Sequence, residues 1–414
     1  MSRTAPAPAS VRLAPHSEVS RPLSAFEYFH ASVGAHPRTL GGAREIVYLV
    51  EGAGQLPEAR WREALAAVVA ANPACRLRIA GTRRAARFES DGAAMPLRVV
   101  PNCRWDGMGH AGAEFLRATP LSLADGPMSE LLVLESPPGE PARTRLAVRA
   151  NHAAMDGLGM SHVLHELFRA LRGEPLLGSN APFSDADLMR HVGATRSTSR
   201  PIRCATLTGA PRGDDPAIWW RRISARGQRP NSMNRLVTAF AGLAREHETK
   251  LPVLFSLPVN LRRHLPGIHT AQNFGNMLFV PLYPGEDAKD FKRKLNALLA
   301  ERMEAVFAPA FDLIRLLPMP WVDWLTQRRP GNFRGKRPVE TVMISHLGYA
   351  RSAALSCDGY SAEGVYGVPG STGVFCTVFA TEKQLDVIFG LPAVYGGEGR
   401  FERAIERLEQ ALEV

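Results

Sequence analysis

No run of the sequence is apolar for long enough to cross a bilayer: the longest, such as residues 65–71, fall well short of the roughly 18 to 20 residues that a spanning helix needs. A secretory signal is missing too, because residues 1–21 are rich in Ser, Ala, Pro and Arg and hold no continuous apolar segment. These absences predict a cytoplasmic chain without a transmembrane segment, opened by a flexible leader over residues 1–20. Cysteine is sparse: Cys75, Cys103, Cys204, Cys357 and Cys376 are odd in number, widely scattered and without a CxxC pair. That excludes a disulfide framework and a zinc-type spacing and predicts reduced thiols. Acidic residues are in deficit, 40 against 50 Lys and Arg, for a net charge of +10. Such an excess suits nucleic acid, an anionic membrane or an acidic partner. The basic residues are mostly scattered arginines, the densest group being Arg328, Arg329, Arg334, Lys336 and Arg337 in a loop with Pro and Gly. No basic helix with interleaved aromatics appears, so no nucleic-acid partner is expected.

What is present is the material of a large folded protein. The 414 residues are 45% hydrophobic and 22% charged, a globular composition, and their number predicts two domains or one bipartite fold. In the first half the pattern predicts a short helix over 23–33 and a strand over 45–51. A helix follows over 58–71, with Trp61, Leu65, Val68 and Val69 at helical spacing, then strands over 75–79, 131–134 and 145–150. Past Gly157, the residues Met160, Val163, Leu164, Leu167, Phe168 and Leu171 share one helical face, and Gly173 ends the run. The second half repeats the alternation, with helices over 233–246, 288–306 and 399–412 and strands over 253–259, 277–282, 339–344, 373–381 and 384–389. Helices alternating with strands in both halves predict two α/β lobes (α+β in the wider sense), an N-terminal lobe over 21–175 and a C-terminal lobe over 217–414. The Pro-, Ser- and Gly-rich residues 176–216 are expected to link them.

One arrangement carries clear chemistry: Asn151-His152-Ala153-Ala154-Met155-Asp156-Gly157, between a strand and a helix. A histidine there can act as general base, since an ordinary imidazole is largely neutral at pH 7 and can take a proton from a hydroxyl or amine. Asp156 can orient or compensate it, and Gly157 allows an unusual backbone turn. HxxxDG fixes only three positions, however, and on spacing alone a structural His–Asp hydrogen-bond pair fits it more readily. A metal reading would add His162 and His165. It lacks a third ligand in fixed relation, and Gly157 and Gly159 interrupt a ligand helix, so no metal is expected.

Further segments stand around this motif in a fixed order: Arg21-Pro22-Leu23-Ser24 with Phe26, Asn72-Pro73-Ala74-Cys75-Arg76-Leu77-Arg78, and residues 120–128. After the motif come Pro258-Val259-Asn260-Leu261-Arg262 and Asn273-Phe274-Gly275-Asn276. Together, over about residues 21–412, they resemble the HxxxDG acyltransferase superfamily, which has the chloramphenicol acetyltransferase-like fold and includes nonribosomal peptide synthetase condensation domains and wax ester synthases. The resemblance implies two lobes forming a V around a central tunnel and a stand-alone acyltransferase, acting by condensation in specialised metabolite biosynthesis. Its donor would be a phosphopantetheine thioester, carried by CoA or by an acyl or peptidyl carrier protein in trans. A small-molecule alcohol or amine would accept the acyl group as an ester or amide. No tightly bound cofactor is implied, and the family-like oligomeric state is a monomer.

By the same resemblance, His152 is the catalytic base, while Asp156, Gly157 and Arg262 support the active site, Arg262 as the architectural partner of Asp156. Asn151 stands where condensation domains commonly carry a first histidine and cannot titrate. Ser345, in Met343-Ile344-Ser345-His346-Leu347-Gly348, resembles a late strand serine whose hydroxyl would meet a developing oxyanion; a serine satisfied by backbone is the competing reading. Asn276 is expected in a supporting role near the lobe crossover. Two alternatives accompany this reading. One is a wax ester or acylglycerol synthase-like enzyme in peripheral contact with membrane through the basic loop and the apolar stretch 311–324. The other is a catalytically inactive scaffold of a synthetase.

Overall fold

The computed structural model describes residues 11–34, 44–194, 203–215, 217–227, 229–328, 339–368 and 373–413. The first ten residues of the expected leader, residues 195–202 of the expected linker and the basic stretch 329–337 lie outside the described residues. The fold is a mixed α/β arrangement of two main sheets and a small third one.

The first main sheet has five strands in the order Tyr360–Val368, Glu45–Gly54, Arg143–Asn151, Ser129–Glu135 and Leu97–Val100. Its central strands bury both faces, which suits their runs of Val, Leu, Ile and Ala. The helices Glu58–Ala71 and Gly157–Leu171 contact each other beside it. The second sheet has six strands: Gly275–Leu282, Val253–Asn260, Val342–Tyr349, Phe375–Ala380, Gln384–Pro392 and Ile218–Arg226. Its core packs the helices Ser232–Arg245, Ala288–Ala300 and Arg400–Leu412 through Leu236, Phe240, Phe291, Phe401, Ile405 and Leu408. The small sheet joins Ser20–Pro22, Arg87–Glu89 and Arg78–Ala80.

Three details matter for the site. Strand Arg143–Asn151 pairs with Glu45–Gly54 so that Asn151 faces Glu45, and the His152 motif leaves from that end of the sheet. In the second sheet, Val253–Asn260 and Gly275–Leu282 pair with Asn260 opposite Gly275. The loop of residues 261–274 therefore departs and returns at one point, carrying Arg262 out and Asn273 back. Finally, Tyr360–Val368, nine residues from the second half, pairs with Glu45–Gly54 as the edge of the first sheet. Burial of Val365, Tyr366 and Val368 holds it there, so the residues of the expected C-terminal lobe, 217–414, are shared between the two sheets.

Other boundaries differ from the expectation for local reasons. The helix expected over 288–306 ends at Ala300, because Arg302 takes a left-handed conformation at φ 57° and a short 3-10 turn Met303–Ala305 follows. The strand expected over 75–79 begins instead as a 3-10 turn, Pro73–Arg76, where proline sets the first helical torsion. Within 176–216 there is a helix, Asp185–Val192, started by a capping box between Ser184 and Asp187. Its Leu188 and Met189 pack with Phe183, Leu261 and Phe274, so this part of the segment braces the loop that carries Arg262 and Asn273.

Candidate functional site

The motif begins as a tight turn. The Asn151 carbonyl accepts hydrogen bonds from the Ala154 and Met155 amides at 2.9 and 3.3 Å, and its side-chain oxygen accepts from the Ala153 amide at 2.9 Å. The Asn151 amide donates to the Met128 carbonyl, and the His152 amide to the Arg44 carbonyl, both at 2.8 Å. Ala153, Ala154 and Met155 are fully buried beneath the turn, while His152 remains half-buried. Small and flexible apolar side chains can pack under such a turn, leaving the imidazole as the polar group it presents.

Asp156 ends the turn and starts the helix Gly157–Leu171, accepting from the Gly159 amide at 2.6 Å as its N-cap. It also accepts from the Phe274 amide at 2.8 Å and from both terminal nitrogens of Arg262, at 2.8 and 3.2 Å. Burial works to raise the carboxyl pKa, but Arg262 and the two amides outweigh it and hold it below the usual value. Close backbone approach accounts for the glycines. A Cβ on Gly159 would lie 2.1 Å from the Ala271 carbonyl oxygen, and one on Gly157 2.9 Å from the side chain of Leu347. Arg262 also donates to the Gln272 carbonyl at 2.5 Å, and the Gln272 side-chain oxygen accepts from Arg21 at 2.5 Å. Arg21 in turn forks onto Glu27 at 2.8 and 2.7 Å. A continuous polar chain thus runs from helix Ala25–Ser32 through the second sheet's loop to the motif.

The imidazole is held differently. Asn273 donates through its side-chain nitrogen to the His152 carbonyl at 2.8 Å, with His152 Nδ1 3.3 Å away. The Gly275 amide fixes the orientation of that side chain by donating to its oxygen at 3.1 Å. The His30 ring stacks on His152, with centroids 4.3 Å apart and planes 17° from parallel. Burial pushes the His152 pKa down to about 4, aided by the Arg44 charge and opposed by Asp156 and by hydrogen bonds with the carbonyls of His152 and Met155. The ring is therefore neutral near pH 7, the state in which an imidazole can accept a proton.

The structure brings His152, Asp156, Gly157 and Arg262 together and leaves the other three candidates outside this cluster. Asn151 shapes the turn through the bonds given above. Asn276 turns the other way, its side-chain nitrogen donating to the Glu304 carbonyl at 2.7 Å and lying 3.4 Å from Met189 Sδ. Ser345 is half-buried opposite Thr377 on strand Val342–Tyr349, and among the described residues it makes no hydrogen bond to the motif. Leu347, two residues on, is the part of that strand that meets Gly157. His162 is occupied elsewhere, with Nε2 3.0 Å from both the Asn72 side-chain oxygen and the Gly178 carbonyl. His165 Nδ1 lies 2.7 Å from the Ser161 carbonyl. A cleft of about 360 Å³ opens beside the motif helix, lined among others by Leu158, His162, Arg262 and Thr270. A larger groove of about 740 Å³, lined by Arg62, Leu65, Val69 and Met95, holds none of the motif residues.

Sequence reasoning missed His30, Asn273 and Arg44. The segment holding Asn273 stood out, but nothing in its spacing tells which of its two asparagines reaches the histidine. His30 and Arg44 carry no local signal at all.

Solved structures of condensation domains share the fold. A mutant starter condensation domain of rhizomide synthetase RzmA, in complex with C8-CoA, aligns with a TM-score of 0.66 at 16% identity, over 96% of this chain and 95% of that one. The condensation domain of the monacolin K polyketide synthase MokA aligns with a TM-score of 0.66 at 14% identity, over 95% of this chain and 98% of that one. The nonribosomal peptide synthetase FmoA3 aligns with a TM-score of 0.60 at 17% identity, over 98% of this chain but only 44% of its own. No family profile and no curated protein sequence matches.

Proposed function

We propose that this chain, with the fold of a condensation domain, is an acyltransferase that moves an acyl group from a thioester to an alcohol or amine, with His152 as general base. The observation that carries the reading is the contrast within one turn: a neutral, half-open imidazole at His152 on a loop immobilised by the Asp156–Arg262 pair. As the acceptor oxygen or nitrogen attacks the thioester carbonyl, His152 takes its proton and the tetrahedral adduct forms. Collapse breaks the C–S bond, and the departing thiolate recovers the proton from the imidazolium. The products are an ester or amide and a free thiol, with no covalent enzyme intermediate. The donor thiol would be CoA or the phosphopantetheine of an acyl or peptidyl carrier protein acting in trans, within the cytoplasm. The C8-CoA complex of the RzmA domain supports a donor of this class. Ser345, half-buried on strand Val342–Tyr349, is carried only as an alternative donor to the oxyanion, beside the reading of a serine satisfied by backbone.

A second reading, an acyltransferase working against lipid, draws on the apolar face of two consecutive helices, Pro309–Leu316 and Met319–Arg328. Leu313, Leu316, Trp321 and Leu325 are exposed there, Trp321 by 61%. Trp and Leu side chains of this kind suit a membrane interface. No helix among the described residues is long and apolar enough to cross a membrane, so such contact would be peripheral.

The test is release of free thiol from a panel of acyl-CoAs and acyl-loaded carrier proteins, with alcohol and amine acceptors, read with the mass of the product. Turnover that needs both an acceptor and His152 is expected. Thiol release that persists unchanged in His152→Ala would overturn the general-base assignment. If no thioester of the panel turns over and the in vivo product profile is unchanged in His152→Ala, the inactive-scaffold alternative takes the place of the enzyme. Salt-sensitive binding of the purified protein to anionic vesicles would favour the lipid reading.

A further inference from the structure

The helix Ala25–Ser32 is fixed at both ends. At its start, Ser24 accepts from the Glu27 amide at 3.1 Å while the Glu27 carboxylate accepts from the Ser24 amide at 2.7 Å, and Arg21 clamps that carboxylate. Along its length, Tyr28 donates its hydroxyl to the Leu317 carbonyl at 2.6 Å, and Phe26 and Phe29 pack against Phe311 at 4.8 and 6.1 Å. The same helix carries His30, whose ring lies flat against His152 and edge-on to Phe29 at 5.7 Å. His30 Nδ1 is enclosed without a hydrogen-bond partner among the described residues. An enclosed, unpartnered ring nitrogen is retained at a cost, so hydrogen bonding at Nδ1 does not account for the placement. Its face against His152 and its edge against Phe29 are the ring contacts that account for it.

We infer that His30 is a positioning residue for His152: its ring, anchored by helix Ala25–Ser32, is the platform that fixes the plane of the base. This rests on the reading of His152 as the base. Among the described residues, Asn273 is the side chain within hydrogen-bond distance of the His152 ring, and the carbonyls of His152 and Met155 also engage its edge. Contacts at the edge leave both faces of the ring unsupported, and a parallel ring at 4.3 Å backs one of them. A base must hold its nitrogen within hydrogen-bond reach of the acceptor, and small misplacements of reacting groups are expensive in rate. Here a second imidazole reaches the site from helix Ala25–Ser32 and serves as a wall.

Two substitutions separate stacking from any polar role. His30→Ala removes the platform and is expected to lower kcat about tenfold with KM for donor and acceptor within about twofold of wild type, as for a misplaced base in an otherwise intact site. His30→Phe keeps an aromatic face and is expected to restore kcat to within about threefold. Alanine behaving as wild type, or phenylalanine as damaged as alanine in a protein of unchanged melting temperature, overturns the inference. A readout independent of turnover is the imidazole Cε1–H resonance of His152, assigned by its loss in His152→Ala. It should sit in one environment in wild type and His30→Phe, and shift or split in His30→Ala. An unchanged resonance in His30→Ala overturns the platform directly. If His152→Ala retains full turnover while the resonance still moves, the general-base reading has failed and the stacking has not.

Discussion

The two ends of the motif, four residues apart, live in opposite surroundings. Asp156 is saturated: two backbone amides and a forked guanidinium from the other sheet's loop fill its oxygens, and its charge is stabilised despite burial. His152 meets no opposite charge so close: one asparagine and the carbonyls of His152 and Met155 at its edge, one ring on its face, and burial that drives off its proton. A carboxylate so fully engaged has no lone pair to give a substrate, which supports the architectural role proposed for it. An imidazole kept neutral and lightly engaged is free to accept a proton. On the proposed function, the same short motif divides into a bolt and a tool.

The sharpest way to break this comparison is to remove each end. His152→Ala should lower kcat by about 10²–10⁴, the usual share of general base catalysis, with little loss of folding stability. Asp156→Ala should do the reverse in kind. It strands Arg262 and opens the helix cap, costing about 3–5 kcal/mol of stability, typical of breaking a buried ion pair. Its activity loss would follow from a displaced loop. Urea melts of both variants beside their kinetics give the check. A destabilised His152→Ala together with an unharmed Asp156→Ala would invert the assignment.

Much of the bolt was legible in the sequence, and less of the tool. His152, Asp156 and Gly157 are close neighbours in the chain, and Arg262 stands in a recognisable segment, so resemblance alone pairs it with Asp156. Asn273 was half-visible. Its segment stood out, but the register of Asn260 against Gly275 is what leaves Asn273 at the loop's mouth and carries Asn276 into the strand, facing Glu304. His30 was invisible, since a ring stacked across 122 positions of chain comes from packing, and helix periodicity says nothing of its partner. The alternation of helices and strands read well wherever an element was strongly periodic, as in Arg400–Leu412. It failed for Tyr360–Val368, whose sequence YSAEGVYGV mixes Gly, Ser and Glu among its apolar residues and whose partner strand lies near the start of the chain.

Acid should separate the two ends as well. With an ordinary pKa of 6.5 and one of about 4 when folded, His152 is protonated in the unfolded chain first. Above pH 6.5 the ring is neutral in both states and carries no such cost; as pH falls toward 4, folding must strip its proton, a penalty that grows to about 3 kcal/mol. Asp156, depressed by Arg262, contributes fully above the ordinary carboxylate range and loses its contribution only as pH falls through its lower folded value. Other groups titrate in the same window. His162 is also lowered to about 4, while burial and the nearby Glu27 raise Asp185 to about 7, which gives the opposite slope. The informative quantity is therefore the difference between wild type and His152→Ala in urea melts at pH 7 and pH 4.5. Wild type should lose more stability than the variant on acidification; equal losses would mean that His152 keeps its proton when folded. In the same vein, kcat/KM of the wild type should hold its plateau down to about pH 5, where an unperturbed histidine would already have cost most of the activity.

The smallest effect expected is at Asn273, the one side chain that hydrogen-bonds the base and that belongs to neither end of the motif. Its amide spans from the His152 carbonyl to the Gly275 amide, so it ties the turn of the first sheet to the mouth of the second sheet's loop. Asn273→Ala removes the bonds to the His152 carbonyl and from the Gly275 amide and the longer contact with His152 Nδ1, a loss of about 1–2 kcal/mol at a buried site. Because Asp156 and Arg262 still hold the turn, the backbone should stay in place and kcat should fall only a few-fold. If His30 supplies a constraint on the ring beside that of Asn273, combining Asn273→Ala with His30→Ala should cost more than the sum of the two, since only backbone carbonyls would then hold the imidazole. Strict additivity in that double-mutant cycle would place the control of the ring in the loop backbone, and the bolt would then be shaping the tool as well as holding it.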